Sequence, residues 1–286
     1  MQKVIMATII GLIACFYAQN MGNKPEEGYR IEVVIDTIQK MPYVETQAKE
    51  IRFIKPDGKV IKSLSFNKTI LSGNKKYLLH FSDYKIKGSY DEVERILFNT
   101  RGEMKWKKKW KTYPGQRRDP ELLCPYWAEG ISSEGNAVYV MYIDSFDKTH
   151  LVVYDTTGEE VVNIVWISEL RNIEISVDGK IIGAMTGEST EERKGYTGPY
   201  LFFLDVETKR IKVVKAWGIS NNEGWMCSFV LSSGRPIPES GKIKIDWQPI
   251  GKEYNKIPGG GVKTKIVSFD AIPDDLSTLF LEGGEK

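Results

Sequence analysis

Short apolar runs of strand length, rich in β-branched and aromatic residues, recur along the chain and end at turn-forming residues. Tyr29–Asp36 (YRIEVVID), Thr149–Tyr154, Ile173–Ser176 and Tyr200–Leu204 are examples. Two kinds of turn divide them. The first reads Leu71-Ser72-Gly73-Asn74, Ile131-Ser132-Ser133-Glu134-Gly135, Ile175-Ser176-Val177-Asp178-Gly179 and Leu231-Ser232-Ser233-Gly234. The second reads Pro56-Asp57-Gly58-Lys59, Asn99-Thr100-Arg101-Gly102-Glu103, Asp155-Thr156-Thr157-Gly158-Glu159 and, with Thr208 replacing glycine, Asp205-Val206-Glu207-Thr208-Lys209. The two series interleave, so each repeat holds two hairpins and therefore four strands. Convincing long helices are absent. Trp166–Asn172 reads as a short helical turn, and Tyr90–Leu97 fits either period.

The spacing is loose. Gly58 and Gly102 lie 44 residues apart, Gly102 and Gly158 lie 56 apart, and Gly158 and Thr208 lie 50 apart, so the excess must sit in loops. Phe269-Asp270 reads as a fifth member of the second series. Phrases such as Leu151–Val162 (LVVYDTTGEEVV) followed by Ile173–Ala184 (IEISVDGKIIGA) resemble the WD40, PQQ-like and TolB-like propeller families over roughly residues 45 to 275. The Trp-Asp ending of WD40 blades and the Trp-docking motif of PQQ-like blades are not reproduced. What the resemblance implies is an all-β chain folded as an irregular β-propeller. The direct count is five blades, and six if Tyr29–Glu50 contributes strands of its own. The alternative architecture is a β-sandwich, in which glycine hairpins also recur but no two-hairpin unit need repeat.

The N-terminus looks like an export signal, with Lys3 followed by the apolar run Val4–Ala14. That run is short for a membrane span, which takes about 20 apolar residues. Its end, Leu12-Ile13-Ala14-Cys15, resembles the bacterial lipobox, which implies lipid attachment at Cys15. Ordinary cleavage after Ala18 is the alternative, although it sets bulky Phe16 where a small residue is preferred; an uncleaved anchor is the third reading. The expected organisation is a signal peptide at 1–14, a lipid-anchored tether at 15–28 and one β domain at 29–286. The expected location is extracytoplasmic, either membrane-anchored or secreted or periplasmic.

Composition narrows the partners. With 286 residues and 41% hydrophobic content the chain can bury a substantial core. Its 40 basic and 38 acidic residues give a net charge of +2, so no global field draws it to nucleic acid or to an anionic membrane. A local basic stripe is the strongest feature: in Met104–Lys111 (MKWKKKWK) period two sets Met104, Trp106, Lys108 and Trp110 on one face and Lys105, Lys107, Lys109 and Lys111 on the other. The lysines could bind anionic polymers, or could guard a sheet edge against intermolecular pairing.

Cys124 and Cys227 are the thiols that remain if Cys15 is acylated, and export invites a disulfide between them. Each precedes a first-series turn, however, which places them in repeats that are not neighbours. His80 and His150 fall at no zinc-ligand spacing with a cysteine. Tyr142–Asp147 (YIDSFD) gathers Asp144, Ser145 and Asp147 in one loop that could hold calcium, but Asp and Ser are equally turn formers.

No Gly-x-Ser-x-Gly elbow, His-Glu-x-x-His helix or phosphate-binding loop occurs, and no cofactor is indicated. Gly259–Lys263 (GGGVK) reads as a flexible connection. The long segments Gly187–Pro199, Arg235–Gly241 and Gly251–Gly261 are the best places for binding on a rigid scaffold. The expected function is a binding or assembly module of the cell envelope, contacting protein or glycan. The competing class is a carbohydrate-active hydrolase with paired carboxylates at a propeller channel.

Overall fold

The structure is a computed structural model and describes residues 28–40, 43–65, 69–113, 127–166, 168, 170–186, 200–220, 223–232, 238–250 and 261–281, the side chains of 35–49, 219–223, 250 and 281 excepted. The chain is almost entirely β. Among the described residues the strands form one three-stranded and four four-stranded sheets, all antiparallel and each threaded in chain order. The first sheet holds β1 (Arg30–Lys40), β2 (Tyr43–Ile54) and β3 (Val60–Ser65). The second holds β4 (Ile70–Leu71), β5 (Tyr77–Lys87), β6 (Tyr90–Asn99) and β7 (Met104–Thr112). In the third are β8 (Trp127–Ile131), β9 (Ala137–Ile143), β10 (Thr149–Asp155) and β11 (Glu160–Trp166). The fourth is built from β12 (Leu170–Ile175), β13 (Ile181–Thr186), β14 (Tyr200–Asp205) and β15 (Ile211–Lys215). The fifth comprises β16 (Trp217–Ser220), β17 (Glu223–Val230), β18 (Lys242–Ile250) and β19 (Lys263–Ser268).

The residues Tyr29–Glu50 thus supply β1 and part of β2 to the first of five described sheets and do not add a sixth. Two other expectations are corrected. Phe269-Asp270 opens a 3-10 turn (Phe269–Ala271) beyond β19 and divides no hairpin. Trp166 closes β11 and Leu170–Asn172 open β12, Asn172 with a left-handed φ of 48°, so these residues are strand and not a helical turn, while 167 and 169 lie outside the described residues. Tyr90–Leu97 is strand, its burial alternating along β6.

Each hydrophobic cluster lies between two successive sheets. Ile31, Phe53, Leu78 and Phe98 join the first to the second, and Leu79, Trp106, Val138 and Tyr154 join the second to the third. Met141, Leu151, Ile182 and Phe202 join the third to the fourth; Phe203, Val214, Phe229 and Ile243 join the fourth to the fifth. Interior sheets are therefore covered on both faces. This explains why β9 and β14 read as unbroken apolar runs, whereas the outer strands β3, β7 and β11 alternate. The first strands of the middle sheets adjoin one another, β4 against β8 and β8 against β12.

The first-series turn is a hairpin turn and also a clasp between sheets. Within it the serine hydroxyl accepts the backbone N–H five residues on: Tyr77 to Ser72 at 3.0 Å, Ala137 to Ser132 at 3.2 Å and Ile181 to Ser176 at 2.9 Å. The position three residues after the serine is left-handed and is filled by Lys75, Gly135 and Gly179. Between sheets, Asn74 N–H donates to Ser133 O at 2.7 Å, Glu134 N–H to Val177 O at 2.9 Å, and Asn136 Nδ2 to Asp178 O at 2.7 Å. Leu231, the fourth member, directly follows β17, the second strand of its sheet, and is tied back by its N–H to Glu174 Oε2 at 2.9 Å.

In the second series the glycine is the left-handed residue, with φ of 86° at Gly58, 73° at Gly102 and 87° at Gly158. A register shift lies three residues beyond each of these glycines, a bulge that leaves Ile61, Lys105 and Val161 without a partner on the preceding strand. The fourth member is one residue longer: Lys209, not Thr208, is left-handed at φ 59°, and β14 and β15 pair without a shift.

Candidate functional site

The lysine strand β7 lies at the outer edge of the second sheet. Trp106, Trp110 and Thr112 face the core while Lys105, Lys107, Lys109 and Lys111 face solvent, the alternation that period two requires. Trp106 and Trp110 pack against Tyr154 of the next sheet at ring separations of 6.0 Å, and Trp110 Nε1 donates to the Tyr154 hydroxyl at 3.2 Å. The indoles are thus structural.

Across the exposed face runs a ladder of charge. Lys107 Nζ lies 2.9 Å from Glu94 Oε1, and Lys109 Nζ lies 2.9 Å from Glu92 Oε2. Ser82 donates to Glu94 Oε1 at 2.6 Å, and on β5 Lys85 pairs with Asp83 at 2.9 Å. The hydrogen bond from Lys109 holds the Glu92 carboxyl low, as that from Ser82 does for Glu94, each against a smaller opposing effect of burial. Lys111 lies over the Tyr90 ring at 4.8 Å. Among the described residues neither Lys105 nor Lys111 has a carboxylate at ion-pair distance. The stripe is therefore half neutralised by its own sheet, leaving a mixed-charge face with two unpaired cations at its ends.

Behind this face is a group that the sequence did not advertise. Arg95 on β6 is 1% exposed, with its Nη2 2.7 Å from Glu129 Oε1 of β8 and its guanidinium carbon 3.9 Å from the Phe81 ring and 4.9 Å from the Trp127 ring. Burial lowers the Arg95 pKa and Glu129 opposes that shift. His80 nearby is also buried; burial first, then Lys62 and Arg95, lower its pKa and hold it neutral. The signal that could have found Arg95 is its place in β6: Val93, Arg95 and Leu97 share the buried face of an alternating strand.

The Asp144 loop is built as a turn. Asp144 Oδ1 accepts the backbone N–H groups of Phe146 at 2.8 Å and Lys148 at 3.0 Å, and its Oδ2 lies 2.9 Å from His150 Nε2. Burial raises the Asp144 pKa, but the bonds from His150 and the backbone outweigh it and the net shift is downward. His150 stacks on Tyr142 at 4.8 Å, and among the described residues its Nδ1 has no hydrogen-bond partner and no hydroxyl completes a triad with this pair. Both carboxylate oxygens are in use within the loop, and among the described residues no group of three or more acidic, histidine or cysteine side chains is arranged to hold a metal.

Cys227 on β17 is a buried thiol whose pKa burial, then Asp275, push up to about 12, which leaves it protonated and inert at neutral pH. Cys15, Cys124, Gly187–Pro199, residues 235–237 and residues 251–260 lie outside the described residues.

No protein-family model matches the chain, and no curated protein does. Solved structures overlap it loosely. TolB from Acinetobacter baumannii is 11% identical over 81% of this chain and 53% of its own, with a TM-score of 0.31. An uncharacterized protein of Listeria monocytogenes is 9% identical over 86% of this chain and 68% of its own, at 0.37. The β-propeller domain of the Trilobed protease from Pyrococcus furiosus is 10% identical over 67% and 69%, at 0.31. The chain spans about half the length of the TolB structure. At these scores the overlaps carry no argument, and the reading of the molecule rests on its own sheets and surfaces.

Proposed function

We propose that the chain is an extracytoplasmic binding or assembly module that contacts protein or glycan through the exposed face of β5, β6 and β7. The observation that carries this reading is the charge ladder on that face. Its lysines are aligned by Glu92 and Glu94, its strand is anchored from behind by Trp106 and Trp110, and Lys105 and Lys111 are left to engage an anionic partner. A pre-aligned, partly neutralised face favours specific docking over the indiscriminate attraction of a uniformly basic one. Five sheets stacked in chain order, with β4, β8 and β12 adjoining, support a propeller as the scaffold. The lipobox-like Leu12–Cys15 supports tethering through a lipid on Cys15.

The hydrolase alternative draws less support. A glycosidase needs one carboxyl raised so that it can act as the acid. Among the described residues the carboxyls displaced from their ordinary values, Asp83, Glu92, Glu94, Asp144, Asp155, Asp178 and Asp205, are all lowered.

The test is a titration of the full chain with a sulfated glycan, heparin serving as probe, and with poly-glutamate, at low and physiological salt. Saturable binding to either, weakened tenfold or more by Lys105→Glu with Lys111→Glu, is the expected result. Binding unchanged by the pair of reversals removes this face from the function. Mass spectrometry of the mature N-terminus tests the anchor: a diacylglyceryl-modified peptide beginning at Cys15 is expected, and one beginning at Gln19 overturns it.

A further inference from the structure

The last strand of each sheet, β3, β7, β11, β15 and β19, lies at a sheet edge. Such an edge presents unpaired backbone groups and invites another strand unless it is guarded. Lysine stands within β3 at Lys62, along β7 at Lys105 to Lys111, within β15 at Lys212 and Lys215, and within β19 at Lys263 and Lys265. The edge of β15 is also strapped by the C-terminal segment: Lys215 N–H donates to Asp274 O at 3.1 Å, and Lys212 Nζ to Ile272 O at 2.7 Å. β11, EVVNIVW, carries no basic residue. From Val161 to Trp166 it carries no charge at all, and it exposes Val161 at 36% and Val165 at 49% with Asn163 between them.

We propose that β11 is a self-association edge, and that its occupant is β11 of a second copy in an antiparallel pair with its dyad at Asn163. The sequence is self-complementary in that register and in no neighbouring one. With Asn163 opposite its own counterpart, Asn163 meets Asn163 across the axis, and Val161, which the bulge near the start of β11 turns outward, comes beside Val165 of the other copy on the exposed face. On the opposite face Val162 meets Ile164. β-branched pairs and amide pairs directly across an antiparallel ladder are favourable contacts, and a single patch that pairs with itself is what a two-fold dimer requires. Charge agrees: the dyad brings Glu159 and Glu160 of one copy to the end of the strand where Lys148 of the other stands, since Thr149 is registered with Trp166. A slip by one residue would put valines and asparagine on mismatched faces. The inference concerns assembly of the module with itself and is independent of what the β7 face binds.

Cross-linking of the full chain tests the dyad by position. Directly opposed residues in an antiparallel pair have Cα atoms about 4.5 to 5.5 Å apart, within disulfide reach. Asn163→Cys should form a covalent dimer under mild oxidation, read by mass spectrometry as the peptide containing residue 163 joined to itself. Val161→Cys alone should not, because its two copies stand four residues apart, roughly 13 Å along the strand, whereas a mixture of Val161→Cys and Val165→Cys chains should join to each other. Sedimentation of the parent chain should show a concentration-dependent dimer that Val165→Lys abolishes without shifting the urea midpoint, while Ile211→Lys on the strapped edge leaves it intact. A parent chain that stays monomeric to millimolar concentration, a dimer that survives Val165→Lys, or equal cross-linking at positions 161 and 163 would overturn the proposal.

Discussion

Arg95 is the side chain with most at stake. A cation 1% exposed is tolerable because Glu129 pairs with it at 2.7 Å and two aromatic rings flank the guanidinium. Removing one partner of such a pair leaves an uncompensated buried charge, so Glu129→Ala should lower stability by about 3 to 5 kcal/mol. Chemical denaturation would show it, and Arg95→Met in the same background should recover part of the loss. Two lysines have the opposite character. Lys75 and Lys209 sit at φ of 58° and 59°, where a side chain costs roughly 1 to 2 kcal/mol. Glycine at either should raise the unfolding free energy by about 0.5 to 1 kcal/mol once its greater unfolded entropy is counted, read as a higher urea midpoint. Thr208→Gly, at the position that sequence alignment assigns to the turn glycine, should give no such gain. A gain at 208 and none at 209 would contradict the longer turn.

At the scale of the strand, what the sequence discloses depends on what sets the pattern. β7 was legible down to its faces because alternation of tryptophan and lysine has only one solution on a half-buried edge strand. The hairpins at Gly58, Gly102 and Gly158 were legible because only glycine enters the left-handed region without cost. Where lysine took that role the marker vanished, and the turn at Asp205 was misplaced by one residue. The segment WISELRN misled for a different reason: it contains good helix formers, but Trp166 pairs with Thr149 while Leu170 and Arg171 pair with Thr186 and Met185, so the ladders on either side claim them as strand. The charge ladder could be guessed only in part. Lys107 is directly opposite Ile96 and Lys109 opposite Glu94, yet the ion pairs run diagonally, Lys107 to Glu94 and Lys109 to Glu92, a choice that belongs to sheet twist and rotamer. Being exposed and screened by solvent, each pair should contribute little to stability. Glu92→Gln with Glu94→Gln should accordingly leave the urea midpoint nearly unchanged while freeing Lys107 and Lys109, and should strengthen heparin binding at low salt if the face is the docking surface.

Across the whole molecule the sheets are held in series, and Asp178 is the node where three of them meet. Its backbone carbonyl accepts Asn136 Nδ2 of the third sheet, its Oδ1 accepts Ser176 Oγ at 2.6 Å within the fourth, and its Oδ2 accepts Ser240 Oγ from the segment leading into β18 of the fifth. Burial raises the Asp178 pKa, but the hydrogen bonds from Ser176, Ser240 and the Lys180 backbone outweigh it, and the carboxyl is held below its ordinary value of 3.8. A carboxyl lowered in the folded state stabilises the fold fully above its unfolded pKa, near 3.9, and that contribution is lost as pH falls through the lower folded value. Asp178→Asn keeps an acceptor and removes the charge, so it should be less stable than the parent at pH 7, and the gap should close below about pH 4. Asp178→Ala also strips the bonds and should cost about 2 to 3 kcal/mol at neutral pH. Hydrogen exchange then separates a node from a local turn. If Asp178 couples the sheets, Glu134 N–H, which donates to Val177 O from the third sheet, and Gly179 N–H, which donates to Ser176 O within the fourth, should lose protection together in Asp178→Ala. Loss confined to Gly179 would mean that the clasps act one sheet at a time, and that the molecule is a chain of independent hairpin pairs joined only by their apolar faces.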